Sequence, residues 1–276
     1  MPKMKPRKIL FLGETYRADA QSWINGLKEF GHFEVISWEL KTSSNGFKNR
    51  VLRLLEYLTA VRKINAICKE HQPNLVLAER TTSYGFLASC LSIPIKIIAQ
   101  QGKTDLWPEN SILYPLKKML QKRAFQKATL IHSWGPIMTQ HMKNCMVDDS
   151  KILELPKGID LRKFQFNTKT NPKIKAIVTR SLMTEYRHEV ILNAFGILHQ
   201  KQIDFGLTIV GDGPNLEKLK TQAIYLQIEQ KVVFTGRISN ADLPIWLQDA
   251  NFYLSMPSTE GVSASLFEAI DRKSVV

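Results

Sequence analysis

Residues 255–269 read SMPSTEGVSASLFEA and join a short apolar strand to a helix. Pro257 and Ser258 turn the chain, and Gly261 lets the backbone enter the helix. Strand, turn and helix in this order form the repeating unit of an α/β fold with a parallel sheet. The stretch therefore sets the fold class against which the rest of the chain is interpreted.

The first turn of this helix is a candidate anion site. Its backbone N–H groups have no partners within the helix, and the helix dipole favours negative charge there. Glu260 precedes the helix and Glu268 lies inside it, and carboxylates accept hydrogen bonds from sugar hydroxyls. The pattern indicates a nucleotide-sugar site. The spacing alone fits equally well a Glu260 that complements the helix dipole and a Glu268 that is a solvated surface residue.

The beginning of the chain shows the same alternation of strand and helix. Residues 8–13 form a predicted strand that ends in a glycine, and residues 18–30 carry apolar side chains at helical spacing. Residues 33–38 form a second predicted strand, which makes a β-α-β unit of a doubly wound parallel sheet. No G-x-G-x-x-G follows the first strand, so the sequence lacks the fingerprint of a dinucleotide-dependent hydride-transfer enzyme.

The pattern restarts after a polar segment without apolar periodicity, residues 162–173, which we interpret as a linker. It predicts an N-terminal domain over residues 1–161 and a C-terminal domain over residues 174–276. In the second domain a predicted strand ends in Gly211-Asp212-Gly213-Pro214. The glycines permit a tight turn there, and Pro214 suits the first position of the next helix.

Several of these motifs resemble those of the retaining glycosyltransferases of family 4. They occur in the family's order: a P-N-G-I-D-like loop at residues 156–160, a V-G-D-G-P turn at 210–214, a V-x-F-x-G segment at 232–236, and an E-x7-E pair at 260–268. The resemblance implies a GT-B fold, in which two Rossmann-like, doubly wound parallel-sheet domains face each other across a cleft. The chain ends at the strand after the E-x7-E helix, so we expect the second domain to be incomplete and this truncated chain to have little activity.

The resemblance also implies a donor site in the second domain. Glu260 would meet the donor sugar and Glu268 the nucleotide ribose, with Arg180 on the donor diphosphate, and we assign Glu260 and Arg180 the catalytic roles. Arg187 stands near the place where the family has a diphosphate-binding lysine. The remaining donor-binding positions are Gly211, Gly213, Gly261, Val262 and Ser263.

The acceptor side departs from the family pattern. Gly13 begins the sequence Gly-Glu-Thr-Tyr where many members have a Gly-Gly loop. Gln101 and Asp105 occupy the place of a His-Gly-x-Asp-like segment, and a glutamine can hydrogen-bond a sugar hydroxyl but cannot act as a general base near neutral pH. By resemblance Gly13, Gln101 and Asp105 are acceptor-side residues.

The implied activity is transfer of a sugar from a nucleotide-sugar to a glycan or lipid-linked acceptor with retained anomeric configuration, as in cell-envelope polysaccharide synthesis. No D-x-D pair is present, so we expect no metal and no cofactor other than the nucleotide-sugar co-substrate. The alternatives are a catalytically silent GT-B interaction protein and a protein that binds anionic lipid or nucleic acid. Among enzymes, a nucleotide-sugar epimerase of GT-B fold is the alternative.

Charge and cysteine content bound the setting of the protein. The 276 residues carry a net charge of +13, nearly all of it before residue 166. This asymmetry fits contact with an anionic membrane surface or a merely soluble basic face, and no nucleic-acid-binding motif accompanies it. Three cysteines without a C-x-x-C pair and no signal-peptide core predict a cytoplasmic protein, with peripheral attachment at the inner membrane face as the alternative.

Overall fold

The structure is a computed structural model that describes residues 7–41, 47–100, 114–155, 158, 174–239, 241–258 and 266. The chain divides into two compact units, Met1–Gly158 and Ile159–Val276. The predicted linker, residues 162–173, lies outside the described residues, and the predicted domain limits stay a prediction. Each unit is built of parallel strands alternating with helices, so the α/β fold class is confirmed.

The first unit contains a parallel sheet of six strands in the order β2-β1-β3-β4-β5-β6. Its register is continuous, with Leu10 of β1 paired to Ile36 of β2 and Val76 of β3. The strands are β1 Lys8–Leu12, β2 Glu34–Trp38, β3 Leu75–Glu79, β4 Ile95–Gln100, β5 Leu130–Ser133 and β6 Ile152–Glu154, and the helices are α1 Ala18–Glu29, α2 Phe47–His71, α3 Phe86–Ser89, α4 Tyr114–Lys127 and α5 Pro136–Asn144.

The core of the first unit lies on both faces of its sheet, because successive strand residues point to opposite sides. On one face Ile9 and Phe11 of β1 pack with Ile24 of α1. On the other face Leu10 of β1 packs with Ile64 of α2 and with residues of β3 and α3. Strands buried on both faces are typical of parallel sheets covered by helices, which explains the nearly unbroken apolar run of β1.

A π-helix, Arg80–Gly85, connects β3 to α3. The sequence pattern predicted an ordinary short helix beginning near Tyr84, so the prediction missed this element. Arg80 opens the π-helix with a left-handed backbone, φ 64°. Tyr84 is fully buried, and its hydroxyl accepts a hydrogen bond of 3.2 Å from the backbone N–H of Leu40. Short π-helices are frequent at functional sites, and this one begins where β3 ends.

The second unit contains a parallel sheet of four strands in the order β10-β7-β8-β9. Pro214 lies two residues before the helix that follows β8, so the prediction that it occupies the first helical position was wrong. The reason is that residues 214 and 215 belong to the turn that leads into the helix. The strands are β7 Ile174–Thr179, β8 Phe205–Val210, β9 Val232–Gly236 and β10 Phe252–Tyr253, and the helices are α6 His188–Gln200, α7 Leu216–Tyr225 and α8 Leu243–Asp249.

Among the described helices, none combines the length and the apolar composition that a bilayer crossing requires. The longest of them, α2, has 25 residues and is rich in lysine and arginine.

Candidate functional site

In both sheets the strand order changes direction beside the first strand. In the first unit this switch lies between β1 and β3, and in the second unit it lies between β7 and β10. Doubly wound sheets bind ligands outside the carboxyl ends of the strands at such a switch. The loops that follow β1, β3, β7 and β10 are therefore the candidate sites.

In the second unit the loop after β8 closes tightly on the loop after β7. Gly211 has φ 146°, and a Cβ atom at this position would lie 2.1 Å from the carbonyl oxygen of Arg180. A Cβ at Gly213 would lie 2.7 Å from the carbonyl oxygen of Leu182. Two backbone hydrogen bonds join the loops, from Leu182 to Asp212 at 3.0 Å and from Asn215 to Leu182 at 3.2 Å. Both glycines are thus required to hold the loop of Arg180 in place.

The side chain of Arg180 packs against an aromatic ring. Its guanidinium carbon lies 5.0 Å from the centroid of Tyr186, a cation–π distance. Tyr186 belongs to a single turn of 3-10 helix, and Arg187 follows it with a left-handed backbone, φ 51°. Arg187 is exposed and occupies the N-cap position of α6. The donor-binding roles of Arg180 and Arg187 stay predictions.

His188, the first residue of α6, was not identified from the sequence. Its side chain is 1% exposed, and among the described residues neither ring nitrogen has a hydrogen-bond partner. The pKa of His188 is lowered, chiefly because the ring is buried. The nearby charge of Glu189 acts to raise this pKa, and that of Arg180 acts to lower it. Burial of an unpaired imidazole is costly, and no sequence signal marks it, because one histidine at a helix start is unremarkable.

The loop after β10 is fastened to the loop after β7. Ser258 donates from its backbone N–H to the carbonyl oxygen of Glu185 at 2.8 Å, and its hydroxyl donates to the same oxygen at 3.2 Å. Leu266 packs against the apolar cluster that contains Ile177 and Tyr253. Ser258 therefore lies beside the loop that follows Arg180. The remaining predicted donor residues lie outside the described residues: Glu260, Gly261, Val262, Ser263 and Glu268.

In the first unit Gly13 follows β1 and lies against a carboxylate. A Cβ atom at Gly13 would be 2.6 Å from Oε2 of Glu79, so a larger residue would displace that side chain. Gln101 and Asp105, the other two predicted acceptor-side residues, fall outside the described part of the chain. Their role and that of Gly13 stay predictions.

Glu14 lies beside Gly13 and is surrounded by three arginines that sequence reasoning missed. Its carboxylate is 2.9 Å from the guanidinium of Arg80, 3.2 Å from that of Arg53 and 3.5 Å from that of Arg17. Burial acts to raise the pKa of Glu14, but the arginines outweigh it and the pKa is lowered. Arg53 and Arg80 are 39 and 66 residues from Glu14 in sequence, so no local pattern could have revealed the cluster.

Within the described ranges no group of three or more His, Cys, Asp or Glu side chains could hold a metal ion. The three cysteines are free thiols. The expectation that no metal or cofactor is used stays a prediction.

Residues 160–276, nearly the whole second unit, match the model of the protein family described as Glycosyl transferases group 1. Over 232 residues the chain is 24% identical to the alpha-monoglucosyldiacylglycerol synthase of Streptococcus pneumoniae (strain ATCC BAA-255 / R6). That match includes 74% of this chain and 51% of the relative. The chain therefore spans about half the length of the curated relative it matches.

Solved structures show the same fold. The lipopolysaccharide outer core galactosyltransferase WaaB in its apo form matches with a TM-score of 0.64 and 18% identity, over 96% of this chain and 78% of that one. The Anabaena protein Alr3699/HepE in complex with UDP and glucose matches with a TM-score of 0.70 and 15% identity over the same shares. Sucrose-phosphate synthase from Thermosynechococcus elongatus gives 0.73 at 13% identity, over 96% and 79%. The fold of this chain is that of GT-B glycosyltransferases.

Proposed function

We propose that this chain is part of a glycosyltransferase that moves a sugar from a nucleotide-sugar donor to a glycan or lipid-linked acceptor. The observation that carries the proposal is the pair of glycines, Gly211 and Gly213, that fix the loop of Arg180 at the switch point of the second sheet. This is the unit that matches the glycosyl transferase family model. A structural neighbour with the same fold binds UDP and glucose, which supports a nucleotide-sugar as the donor.

Arg180 is the group that we assign to the donor diphosphate. It follows β7, and its guanidinium is held beside Tyr186 rather than extended into solvent on a flexible stem. Guanidinium groups bind phosphate oxygens in bidentate fashion. Negative charge grows on the leaving diphosphate in the transition state, and one donor aimed at such charge contributes roughly 3 to 4 kcal/mol. Arg180→Ala should therefore slow turnover about a hundredfold or more.

The E-x7-E stretch completes the proposed site. Ser258 is anchored to the carbonyl of Glu185, five residues after Arg180, and this attachment supports a position for Glu260 near the diphosphate. We propose that Glu260 meets the donor sugar, that the amides of Gly261 to Ser263 meet sugar and phosphate, and that Glu268 binds the ribose. Arg187, which precedes α6, would add a second cation to the proposed site.

We propose transfer with retained configuration and no metal, because residues 160–276 share the motif order of retaining enzymes. The anomeric configuration of the product, read by proton NMR coupling constants, tests retention. Activity that survives a chelator would support transfer without a metal ion. An inverted product, or loss of activity restored by a divalent cation, would contradict these two parts of the proposal.

The proposed acceptor is lipid-linked and lies at the inner membrane face, as in cell-envelope glycan synthesis. Helix α2 supports a membrane location, because Leu52, Leu55 and Leu58 are exposed among the cations Arg62 and Lys63. Exposed leucines beside lysine and arginine are typical of helices that lie on anionic bilayers. The relative from Streptococcus pneumoniae is named as a synthase of a glucosyldiacylglycerol, which agrees with a lipid acceptor.

Calorimetric titration of the chain with UDP, GDP and ADP tests the donor site. We expect one nucleotide to bind, and we expect Arg180→Gln and Glu268→Ala each to weaken its binding about tenfold or more. Lys220→Gln is the matched control, because this lysine lies on α7 in an exposed ion pair with Glu217. Equal binding by the wild type and Arg180→Gln would remove Arg180 from the site. No binding of any of the three nucleotides would contradict the proposed donor.

A further inference from the structure

The cluster around Glu14 gathers side chains from three separate elements at the switch point of the first sheet. Glu14 follows β1, Arg17 lies in the turn before α1, Arg53 belongs to α2 and Arg80 opens the π-helix after β3. Their guanidinium groups approach the carboxylate within 2.9 to 3.5 Å. Three cations therefore converge on one anion at the position where doubly wound sheets bind ligands.

The arginines remain accessible although the carboxylate does not. The side chain of Glu14 is 8% exposed, whereas those of Arg53, Arg80 and Arg17 are 20, 27 and 41% exposed. The carboxylate therefore lies on the buried side of the cluster, and the guanidinium groups lie at the surface.

The backbone at Arg80 is a second, independent observation. Its φ of 64° is a left-handed conformation that glycine adopts without strain and that is unfavourable for a residue with a side chain. Strained residues of this kind cluster at ligand-binding positions. At Arg80 the strained backbone directs a guanidinium to Glu14, which joins the strain to the charge cluster.

Two other carboxylates lie beside residues of the cluster and have contacts of their own: Glu39 contacts Thr15, and Glu79 precedes Arg80 in the chain. Glu39 accepts hydrogen bonds from the backbone N–H of Thr15 at 2.7 Å and from its hydroxyl at 2.5 Å. Glu79 is buried against Gly13. Tyr16 is exposed. The four charged groups of the cluster itself carry three positive charges and one negative charge.

We propose that Arg17, Arg53 and Arg80 bind a phosphoryl group, and that this group belongs to the acceptor. The second half of the statement rests on the proposed function. A phosphate presents several anionic oxygens in a tetrahedral arrangement, and two or three guanidinium forks satisfy them with paired hydrogen bonds. Neutral sugar hydroxyls would gain much less from such a concentration of positive charge. The phosphoryl group can come from a soluble phosphate ester or from a phospholipid headgroup.

The first experiment is a calorimetric titration of the chain with inorganic phosphate at constant ionic strength. We expect Arg80→Gln and Arg53→Gln each to weaken phosphate binding about tenfold or more. Arg123→Gln is the matched control, because this arginine is exposed on α4, outside the cluster, and should leave the affinity within about twofold. Arg180→Gln identifies any phosphate bound in the second unit. Equal effects of Arg123→Gln and Arg80→Gln would overturn the proposal.

Arg80→Gly guards against a trivial loss of folding. Glycine accepts the left-handed backbone, so this variant removes the guanidinium without adding strain. We expect it to keep the thermal midpoint of the wild type within a few degrees and to lose phosphate binding as Arg80→Gln does. Phosphate binding retained by a folded Arg80→Gly would overturn the role of Arg80.

The source of the phosphoryl group is separated by two further probes. Glycerol 3-phosphate that competes with inorganic phosphate would identify a soluble ester. Binding to vesicles of phosphatidylglycerol but not of phosphatidylcholine, lost in Arg80→Gln and kept in Arg123→Gln, would identify a headgroup. No nucleotide is present in these titrations. A chain that binds phosphate through Arg80 but binds no nucleotide would contradict the proposed donor and leave the anion site standing.

Discussion

Residues 13–17 and residues 180–187 follow the first strand of their respective sheets, and the two loops are stabilised in opposite ways. In the first unit a buried carboxylate, Glu14, is held by three guanidinium groups from distant parts of the chain. In the second unit backbone packing dominates, because Gly211 and Gly213 allow a neighbouring loop to lie against residues 180–182. The same topological position is thus built by charge in one unit and by the absence of side chains in the other.

This difference indicates what each loop is suited to hold. A loop shaped by glycines brings backbone groups close to a ligand, as nucleotide phosphates require. A loop shaped by paired charges presents fixed guanidinium groups at a surface, and such groups suit an anionic group on a ligand other than the nucleotide. Stability measurements can break or sharpen the contrast.

Gly211→Ala should have the largest effect. Its Cβ would lie 2.1 Å from the carbonyl oxygen of Arg180, and φ 146° is unfavourable for alanine, so we expect the free energy of unfolding to fall by about 3 kcal/mol or more. Urea denaturation followed by circular dichroism measures the change. Gly206→Ala is the control within β8, because its Cβ would meet nothing within 4 Å. A Gly211→Ala variant as stable as Gly206→Ala would refute backbone packing as the basis of this loop.

Glu14→Gln should have the next largest effect. It removes a buried charge that three arginines share, and we expect a loss of about 2 kcal/mol, reduced because the arginines keep contact with water. The control is Glu34→Gln, whose ion pair with Lys8 is exposed and should contribute less than about 0.5 kcal/mol. Equal effects of the two variants would mean that the cluster does not stabilise the first unit.

The same variant has a predictable pH dependence. Because the folded-state pKa of Glu14 is lowered from its ordinary value of 4.5, its contribution is fully present above that value and is lost as pH falls below it. The stability difference between wild type and Glu14→Gln should therefore shrink between pH 5 and pH 3. A difference that stays constant over this range would contradict the charge-based account.

His188 should make the stability of the second unit depend on pH in a higher pH range than Glu14 does for the first. Its folded-state pKa lies below the ordinary value of 6.5 because the ring is buried. Below that value the unfolded chain takes up a proton that the folded chain does not, so stability falls with falling pH by at most about 1.4 kcal/mol per pH unit. His188→Phe should flatten this slope in urea denaturation between pH 7 and pH 5. An unchanged slope would assign it to the other histidines.

Arg187→Gly should have the smallest effect, and it compares the two left-handed arginines. Glycine relieves the backbone at φ 51°, and we expect a gain of about 0.5 kcal/mol. Arg187→Ala removes the same guanidinium without relieving the backbone. If Arg187 binds the donor, both variants should weaken nucleotide binding while only the glycine variant gains stability. Unchanged nucleotide affinity in both would leave Arg187 a purely structural residue.

Much of the fold could be read from the sequence because its signals are local. The predicted elements at residues 8–13, 18–30 and 33–38 agree with β1, α1 and β2 to within one residue at each end, since each rests on apolar periodicity within one segment. The turn at Gly211 and Gly213 was also predicted, because tight turns require glycine whatever surrounds them. Two elements were missed. The helix Pro136–Asn144 was not predicted, and the π-helix Arg80–Gly85 was taken for an ordinary helix that begins later.

The candidate site divides in the same way. The sequence by itself determined the α/β class and the turn chemistry, since each depends on residues that are neighbours in the chain. The donor role of Arg180 stays a prediction. Only the tertiary structure decided that Arg53 and Arg80 reach Glu14 and that His188 is buried with no hydrogen-bond partner among the residues that the structure describes. The order β2-β1-β3 places the ends of β1 and β3 side by side, and the burial of an ionisable group depends on which elements cover it. Contacts of this kind join residues far apart in the chain, and no spacing along the chain records them.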